Sequence, residues 1–524
     1  NASKRWAGVP YDIIRSAIPP RVASVDKENF EVRLRRNSLQ EVSTEKVRLF
    51  WTLPASQPLG ESLAMFAAQR LQNGQLLIIC ATERELLEVE KAFTTHFPFE
   101  SVVRLDAISS RADRYRNFLR MSTDSVRIGI GLRGAVFTPL AQGSTIMVIS
   151  ESSEHLHEPR TPGWNARDVA LLRSALFETN VVLAGFSPSL EAARLIETKW
   201  LGSISSRTRR DVVAQEQSLG ALLPAKSFAV IRKALALGPV LCLVPRKGYG
   251  NAVLCAKCRN IAQCKCGGRL KVDAKNAIPE CALCAARYES WRCGYCQGSD
   301  IYLAARGIER YIEEIGRAFP NFQIVNSSGE NIVESVDIQK GLVVATPGAE
   351  PRSPQGYSAV VLLEGQRFFG TSDIRATERA REQFFNASHL SATKGKTFVA
   401  IDPVHPIVAA LTRWDADFMV KRELSEQESA HLPPYFRFIS LEIDTKGATT
   451  LHAGIVQARA EGRIPSTTEI RGPHQNGELS SRITLTVPVI EAPLLVAFVH
   501  ELQRRRSLSR KPLLRIRVDP YSLA

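Results

Sequence analysis

Eight of the ten cysteines fall between positions 255 and 296, in four close pairs: Cys255/Cys258, Cys264/Cys266, Cys281/Cys284 and Cys293/Cys296. Three pairs are spaced C-x2-C and one C-x-C. Tetrahedral Zn²⁺ takes four thiolates, and each short knuckle offers two of them to one ion. Eight thiolates therefore make two four-cysteine sites. No histidine lies in the segment, which argues against mixed Cys/His sites. A disulfide framework suits a small secreted chain. This chain has 524 residues and shows no secretory signal at its start, so the pairs read as metal ligands. An iron–sulfur cluster is the main rival, because four cysteines can also hold one. The C-x-C turn is tighter than the others, and Gly267-Gly268 directly after it supplies the freedom it needs. Cys80 and Cys242 sit in apolar strands and read as inert core.

Charge is the second chemical signal. Net charge is +15 and the pI is near 9.5, which suits a polyanion such as nucleic acid. Local basic clusters are Arg33, Arg35 and Arg36; Arg207, Arg209 and Arg210; and Arg504, Arg505, Arg506, Arg510 and Lys511. The last follows an apolar, helix-like stretch and equally fits cations at a helix C-terminus. A hydrophobic fraction of 44% with 23% charged residues is that of a globular chain. No apolar run reaches the ~20 residues of a membrane span. The chain begins at Asn1 rather than Met, as a fragment or truncated product would.

The elements that must position these residues are α/β. The length suits about three domains. Leu76 to Cys80, Val126 to Gly131, Ile146 to Ile149 and Val181 to Ala184 are short apolar strands, with helical spacing over 82–93 and 165–177. The rhythm resumes with strands at Val240 to Val244, Gly341 to Ala345, Ala359 to Leu363 and Thr397 to Ile401, and a helix at Ile308 to Phe319. Such alternation implies parallel sheets covered on both faces. The cysteine module interrupts the second α/β region directly after its first strand. Beyond Leu432-Pro433-Pro434, strands at 438–443, 482–487 and 514–518 and helices near 448–461 and 490–506 suit a small α+β domain. The expected organisation is a remnant and linker over 1–45, lobe 1 over 46–215, lobe 2 over 216–431 with the insertion at 250–300, and an α+β domain over 432–524.

From about residue 46 onward this order resembles the PriA family of replication restart helicases. Gly129-Ile130-Gly131-Leu132-Arg133-Gly134-Ala135-Val136-Phe137-Thr138-Pro139-Leu140 is similar to the family's "IGTRSALFAPL". Gly185 to Glu191 stands where the family has "SATPSLES". Arg246-Lys247-Gly248-Tyr249 resembles "RRGY", Gly307-Ile308-Glu309 resembles "GTE", and Asp373 to Arg379 resembles "DFRAAER". Leu432 to Tyr435 and Val518 to Leu523 resemble "LPPF" and "VDPQSL". The resemblance implies two tandem RecA-like helicase lobes, a double-zinc module in the second, and Zn²⁺ at two ions per chain. It also implies which cysteines share an ion: Cys255, Cys258, Cys293 and Cys296 at one site, and Cys264, Cys266, Cys281 and Cys284 at the other.

The resemblance further implies a motor, and here the chain departs from the family. A phosphate loop G-x4-G-K-[ST] needs backbone N–H groups and a lysine around the phosphates, and a hydroxyl on Mg²⁺. The aligned stretch is Ala55 to Ser62, with Ala55 for the first glycine and Glu61 for the lysine. Where the acidic D-E-x-H box should follow a strand, the chain reads Ser150-Glu151-Ser152-Ser153. Glu151 and Glu154 remain and read as solvated surface carboxylates. In the arginine segment "QVAGRAGR", register from Asp373 gives Asn386 for the glutamine, Leu390 for the first arginine and Thr393 for the last, with His389 and Lys394 nearby. One such arginine can be worth ~10³–10⁵ in rate. Three losses in one site leave the lobes as scaffold, so ATP is not expected as a working cofactor. Only about forty residues precede lobe 1, too few for the family's N-terminal DNA-binding domain.

The function so implied is non-catalytic replication restart in the cytoplasm, nucleoid-associated. Its partners would be forked or single-stranded DNA, single-strand-binding protein and other primosome proteins, with no membrane. The rivals are an ATP-dependent 3′→5′ DNA helicase with a cryptic nucleotide site, and a zinc-ribbon scaffold for protein partners. Tyr249 and Trp291 flank the module and would either stack bases or pack against it. Arg133 would either meet a phosphate or lie exposed.

Overall fold

The computed structural model describes the chain except residues 31–45, 71–73, 107, 218–222, 246–252, 259, 261, 266–269, 273–277, 282–285, 304–307, 330, 371–372, 477–478 and 523–524. Arg33, Arg35, Arg36, the segment Arg246 to Tyr249, Cys266, Gly267, Gly268, Cys284, Gly307 and Leu523 thus lie outside the described residues. Two compact units emerge: Asn1–Leu53, Gln57–Ser205 and Arg422–Tyr521 form unit 1, and Pro54–Ser56, Ser206–Lys421 and Ser522–Ala524 form unit 2.

Unit 1 is built on a parallel sheet of seven strands: β1 (Arg48–Thr52), β2 (Leu76–Ile79), β3 (Val102–Arg104), β4 (Ile128–Gly131), β5 (Thr145–Ile149), β6 (Asn180–Gly185) and β7 (Gly202–Ile204). Their order is β3-β4-β2-β5-β6-β1-β7. The all-apolar β2 and the β5 run Ile146 to Ile149 are buried because helices cover both faces of the sheet. Helix Glu83–His96 starts where Thr82 and Glu85 form a reciprocal capping box. Two short helices, Ala2–Arg5 and Pro10–Ala17, occupy part of the segment expected as remnant and linker. Trp6 between them is 1% exposed and belongs to the core of unit 1.

Unit 2 carries a six-stranded parallel sheet interrupted by the cysteine module. In chain order its strands are β8 (Asp211–Ala214), β9 (Val240–Leu243), then β10 (Val253–Cys255), β11 (Leu270–Lys271), β12 (Glu280–Cys281) and β13 (Ile301–Leu303) of the module. The main sheet continues with β14 (Ile324–Ser327), β15 (Leu342–Ala345), β16 (Tyr357–Leu362) and β17 (Ser391–Val399), in the order β14-β15-β9-β16-β17-β8. The module forms two small antiparallel pairs, β10 with β13 and β11 with β12. The two parallel sheets are the tandem α/β lobes expected from the sequence.

The C-terminal domain, part of unit 1, has antiparallel strands β18 (Phe436–Asp444), β19 (Glu469–Asn476), β20 (Ser480–Pro488) and β21 (Arg515–Val518) in the order β19-β20-β18-β21. Helices Thr445–Ala460 and Ala492–Leu508 follow β18 and β20. This βαββαβ order is that of a ferredoxin-like fold. Strand β19 escaped the sequence reading. It lies at a sheet edge, and Gly472-Pro473 shifts its register between Arg471 and His474, so no clean alternation shows.

Candidate metal centre and the remnants of a nucleotide site

Antiparallel pairing of β10 with β13, Val253 opposite Leu303, folds the two ends of the module onto each other. The knuckle after β10 then meets the knuckle before β13. The sulfurs of Cys255, Cys258, Cys293 and Cys296 all lie within 4.8 Å of one another. Cys255 Sγ is 3.4 Å from Cys296 Sγ, and Cys258 Sγ is 3.5 Å from Cys293 Sγ. A tetrahedron with Zn–S near 2.3 Å has S···S edges of about 3.8 Å, so the cluster fits such an ion closely. It does not fit disulfides, whose S–S length is about 2.05 Å. The Asn260 amide is the largest influence holding the Cys258 thiol down, to about 6, and the Cys258 amide likewise holds Cys255 below its ordinary value. The Gly298 amide favours the Cys296 thiolate, but the neighbouring sulfurs of Cys258, Cys255 and Cys293 oppose it and push the group up to about 12. Four thiolates at this spacing need a cation between them.

Of the second set, the described members Cys264 and Cys281 are 7% and 1% exposed and share one small core with Val253, Leu270 and Trp291. Pairing of Leu270 with Cys281 places the second at the end of its hairpin. The Tyr288 hydroxyl donates to Cys264 Sγ at 3.1 Å. Trp291 is 5% exposed, so its ring supports the module's core and is not presented for base stacking.

In unit 1, β5, β6 and β1 are neighbours, so the chain leaves all three at the same edge. This is where a parallel α/β sheet binds ligands. From β1 the chain passes through Ser56, at φ +57°, into helix Leu59–Arg70. The helix N-terminus would be the phosphate cradle. The Gly60 N–H faces the Glu88 carboxylate at 3.4 Å. Helix Glu83–His96 passes so close that a Cβ on Gly60 would lie 2.6 Å from the Glu88 carbonyl oxygen. Glu61 is exposed, and Ser62 is buried with its hydroxyl 3.4 Å from Gln57 Oε1. A carboxylate from the chain itself thus stands at a donor that a phosphate would need.

The acidic box is rebuilt in the same way. The Ser150 hydroxyl donates to Glu85 Oε1 at 2.6 Å. Glu151 differs from the sequence reading: it is not a surface carboxylate but is 1% exposed. It accepts from the Ser189 amide at 2.6 Å and the Ser189 hydroxyl at 2.7 Å, and Arg167 lies 3.5 Å away. Arg167, also buried, bridges to Asp168 at 2.8 Å and Glu191 at 3.1 Å. Glu151 therefore ties the end of β5 to helix Leu190–Glu197, whose N-cap is Ser189. Glu154 remains exposed. Arg133 pairs with Glu158 at 3.2 Å.

In unit 2, the degenerate arginine segment runs from the end of helix Ala376–His389, through its C-cap Leu390, into β17. Asn386 and Leu390 are half-buried and Thr393 and Lys394 exposed. His389 is buried, and burial first, then the charges of Arg352 and Arg210, push its ring down to about 3. A neutral imidazole cannot replace an arginine's charge. At the head of the helix, Arg375 pairs with Glu378 at 3.1 Å and Arg379 with Asp373 at 3.0 Å. Of the basic clusters, Arg210 is buried, Arg207 pairs with Asp415 and Asp417, and Arg504 and Arg505 pair with Glu501.

No family model matches the chain. Curated relatives do. The chain is 31% identical over an alignment of 513 positions, covering 90% of its length and 78% of the relative's, to "Probable replication restart protein PriA" of Mycobacterium leprae. It is 30% identical over an alignment of 583 positions, gaps included, covering 99% of its length and 88% of the relative's, to the protein of the same name from Mycobacterium bovis. Identity to "Replication restart protein PriA" of Rickettsia conorii is 23% over 408 residues, 71% of this chain and 62% of that one. Among solved structures, RecG bound to a three-way DNA junction aligns at a TM-score of 0.42 and 8% identity, over 79% of this chain and 48% of that one.

Proposed function

The chain belongs to the PriA family of replication restart proteins, and on that premise we propose that it acts in restart without a motor. It binds stalled or branched DNA and assembles primosome components, single-strand-binding protein among them, in the cytoplasm at the nucleoid. Two Zn²⁺ ions hold the module, one on Cys255, Cys258, Cys293 and Cys296 and one on Cys264, Cys266, Cys281 and Cys284. Their role there is structural: four thiolates close the coordination shell and tie together a segment too small to fold on apolar burial alone. Among the described residues no helix is long and apolar enough to cross a membrane.

One observation carries the absence of a motor. At the sheet edge where nucleotide would bind, Glu88 faces the Gly60 N–H, Glu85 takes the Ser150 hydroxyl, and Glu151 is consumed by Ser189 and Arg167. The positions that would hold phosphate and Mg²⁺ are engaged with the chain's own side chains. The net charge of +15 supports phosphate-dominated DNA binding.

The test is a pair of assays on the full chain. Binding to a labelled fork should weaken steeply with salt and exceed binding to plain duplex. ATP hydrolysis should stay at background with and without the fork. Turnover within the ~1–100 s⁻¹ of working phosphoryl-transfer enzymes would establish the cryptic helicase instead. No DNA binding at low salt would leave the zinc-ribbon scaffold.

A further inference from the structure

Residues 1–28 run from the C-terminal domain onto lobe 1, both within unit 1. Helix Ala2–Arg5 packs on helix Ala492–Leu508. Trp6 and Ala7 follow, 1% and 4% exposed. They share one apolar core with Val136 and Trp164 of lobe 1 and with Leu495 and Val518 of the C-terminal domain. Arg437 on β18 pairs with Asp519 at 2.8 Å and also donates to the Arg5 carbonyl at 3.5 Å. Gly8 then lies so tight on the loop before helix Ala166–Leu176 that a Cβ there would stand 2.5 Å from Pro162 Cβ. Helix Pro10–Ala17 packs on the turn Arg133–Phe137. Beyond it the chain is tied to helix Arg111–Ser122. Arg111 donates to the Arg21 carbonyl at 3.2 Å, the Tyr115 hydroxyl donates to Asp26 at 2.8 Å, and Arg116 pairs with Glu28 at 2.7 Å.

This arm has little stability of its own. Its two α-helices are four and eight residues long, below the ~12–15 at which an isolated helix becomes even marginal. Docking therefore orders it. At the domain end, docking depends on Trp6, the one large apolar side chain among residues 1–8. Arg5 beside it works in the other direction. Burial first, then the charge of Arg437, hold its guanidinium below its ordinary value, and Asp519 and Asp168 offset part of this. One aromatic side chain thus closes this end against a desolvation cost at its neighbour. That balance suits a part that opens as a unit.

We propose that residues 1–28 are a clasp, pinned by Trp6, that holds the C-terminal domain on lobe 1, and that its release frees the domain to move as a separate body. The domain also touches lobe 1 directly. Arg517 donates to the Pro159 carbonyl at 3.4 Å, and Arg194 lies over the Tyr435 ring at 4.7 Å. Both contacts lie at the surface, where such pairs contribute little, and the clasp adds buried apolar contact. It also sets the domain in register with the turn Arg133–Phe137, so a ligand spanning both meets a rigid pair of surfaces. The clasp is a property of unit 1 alone and does not depend on what the protein binds.

Hydrogen exchange followed by mass spectrometry on the full chain tests this. Trp6→Ala removes the pin. Gly8→Ala wedges the arm off Pro162 and leaves Trp6 in place. Each should speed exchange at least about tenfold in helix Ala492–Leu508, in β21 and in the turn Arg133–Phe137. Helix Glu83–His96 should keep its parental rate, because Leu86, Val89 and Phe93 lie in a separate core on the other face of the lobe 1 sheet. Leu86→Ala, a control for general destabilisation, should do the reverse. Calorimetry of the clasp variants should show the domain melting ahead of lobe 1. Should Trp6→Ala fail to fold, Trp6→Phe and Gly8→Ala decide. Faster exchange confined to residues 1–20 would show an arm that leaves without freeing the domain, and overturns the proposal. An equal rise throughout unit 1, helix Glu83–His96 included, overturns it too, because Trp6 is then ordinary core. Unchanged exchange in both variants does the same.

Discussion

Replacing Ser150 by the aspartate that a working Mg²⁺ site requires should damage this protein and restore nothing. Ser150 donates to Glu85 Oε1 at 2.6 Å. Glu85 cannot swing away freely, because its other oxygen accepts from the Ala81 amide at 2.9 Å as part of the cap on helix Glu83–His96. That cap is worth about 1 kcal/mol. In Ser150→Asp a hydrogen bond to a carboxylate becomes two carboxylates about 4 Å apart. Their repulsion is about 4 kcal/mol at an effective dielectric of 20. Both residues are partly exposed, so solvent reduces this, and a net loss of about 2–3 kcal/mol is expected once the missing hydrogen bond is counted. The backbone adds little: residue 150 sits at φ +48°, a region aspartate tolerates. At ~2–4 °C per kcal/mol for a domain of this size, the melting temperature should fall by at least ~4 °C at pH 8. The sign with pH follows from the pairing. Like charges raise the folded-state pKa of the new carboxyl above its unfolded value, so the penalty grows as pH rises and vanishes in acid. Differential scanning fluorimetry at pH 8 and pH 4.5 should show the first difference and little of the second, and Glu85→Gln should rescue the variant. A Ser150→Asp protein that melts like its parent at pH 8, or that gains ATP hydrolysis, would refute the reasoning.

Other expectations concern the module and two buried groups. Elemental analysis should find two zinc ions per chain, and Cys255→Ser or Cys293→Ser should remove one and unfold the module; iron, or no metal with free thiols, would contradict this. Arg167→Met removes the cation facing buried Glu151 and should cost about 3–5 kcal/mol, much of it recovered by adding Glu151→Gln; denaturant melts measure both. His389 is depressed to about 3 in the fold against ~6.5 unfolded. Between those values only the unfolded chain takes the proton, so stability should fall on acidification by up to about 1.4 kcal/mol per pH unit. His389→Asn should flatten that part of the pH–stability curve, and an unchanged curve would show that the ring is protonated in the fold.

The sequence by itself determined what depends on residue type and short spacing. Leu76 to Ile79 and Val240 to Leu243 contain no polar residue, the pattern of strands covered on both faces, and both are buried parallel strands. Three C-x2-C knuckles and one C-x-C pointed to metal ligands because each pair acts within one turn, and Cys255, Cys258, Cys293 and Cys296 do cluster as a set that could hold an ion. Glu61, Ser150 and Leu390 stand where the family's motor has a lysine, an aspartate and an arginine, a departure legible from residue type alone. Tertiary structure decided what depends on closure over distance. Cys255 meets Cys296 across 41 residues only because β10 pairs with β13. The Glu88 carboxylate reaches Gly60 across 28 residues, and Glu85 reaches Ser150 across 65, because helix Glu83–His96 packs against helix Leu59–Arg70 and beside the end of β5. Glu151 looked solvated beside its polar neighbours, yet Arg167 and Ser189 bury it. Local propensity fixes how each segment folds, whereas the burial and pairing of its polar groups are fixed by whichever distant segment packs against it.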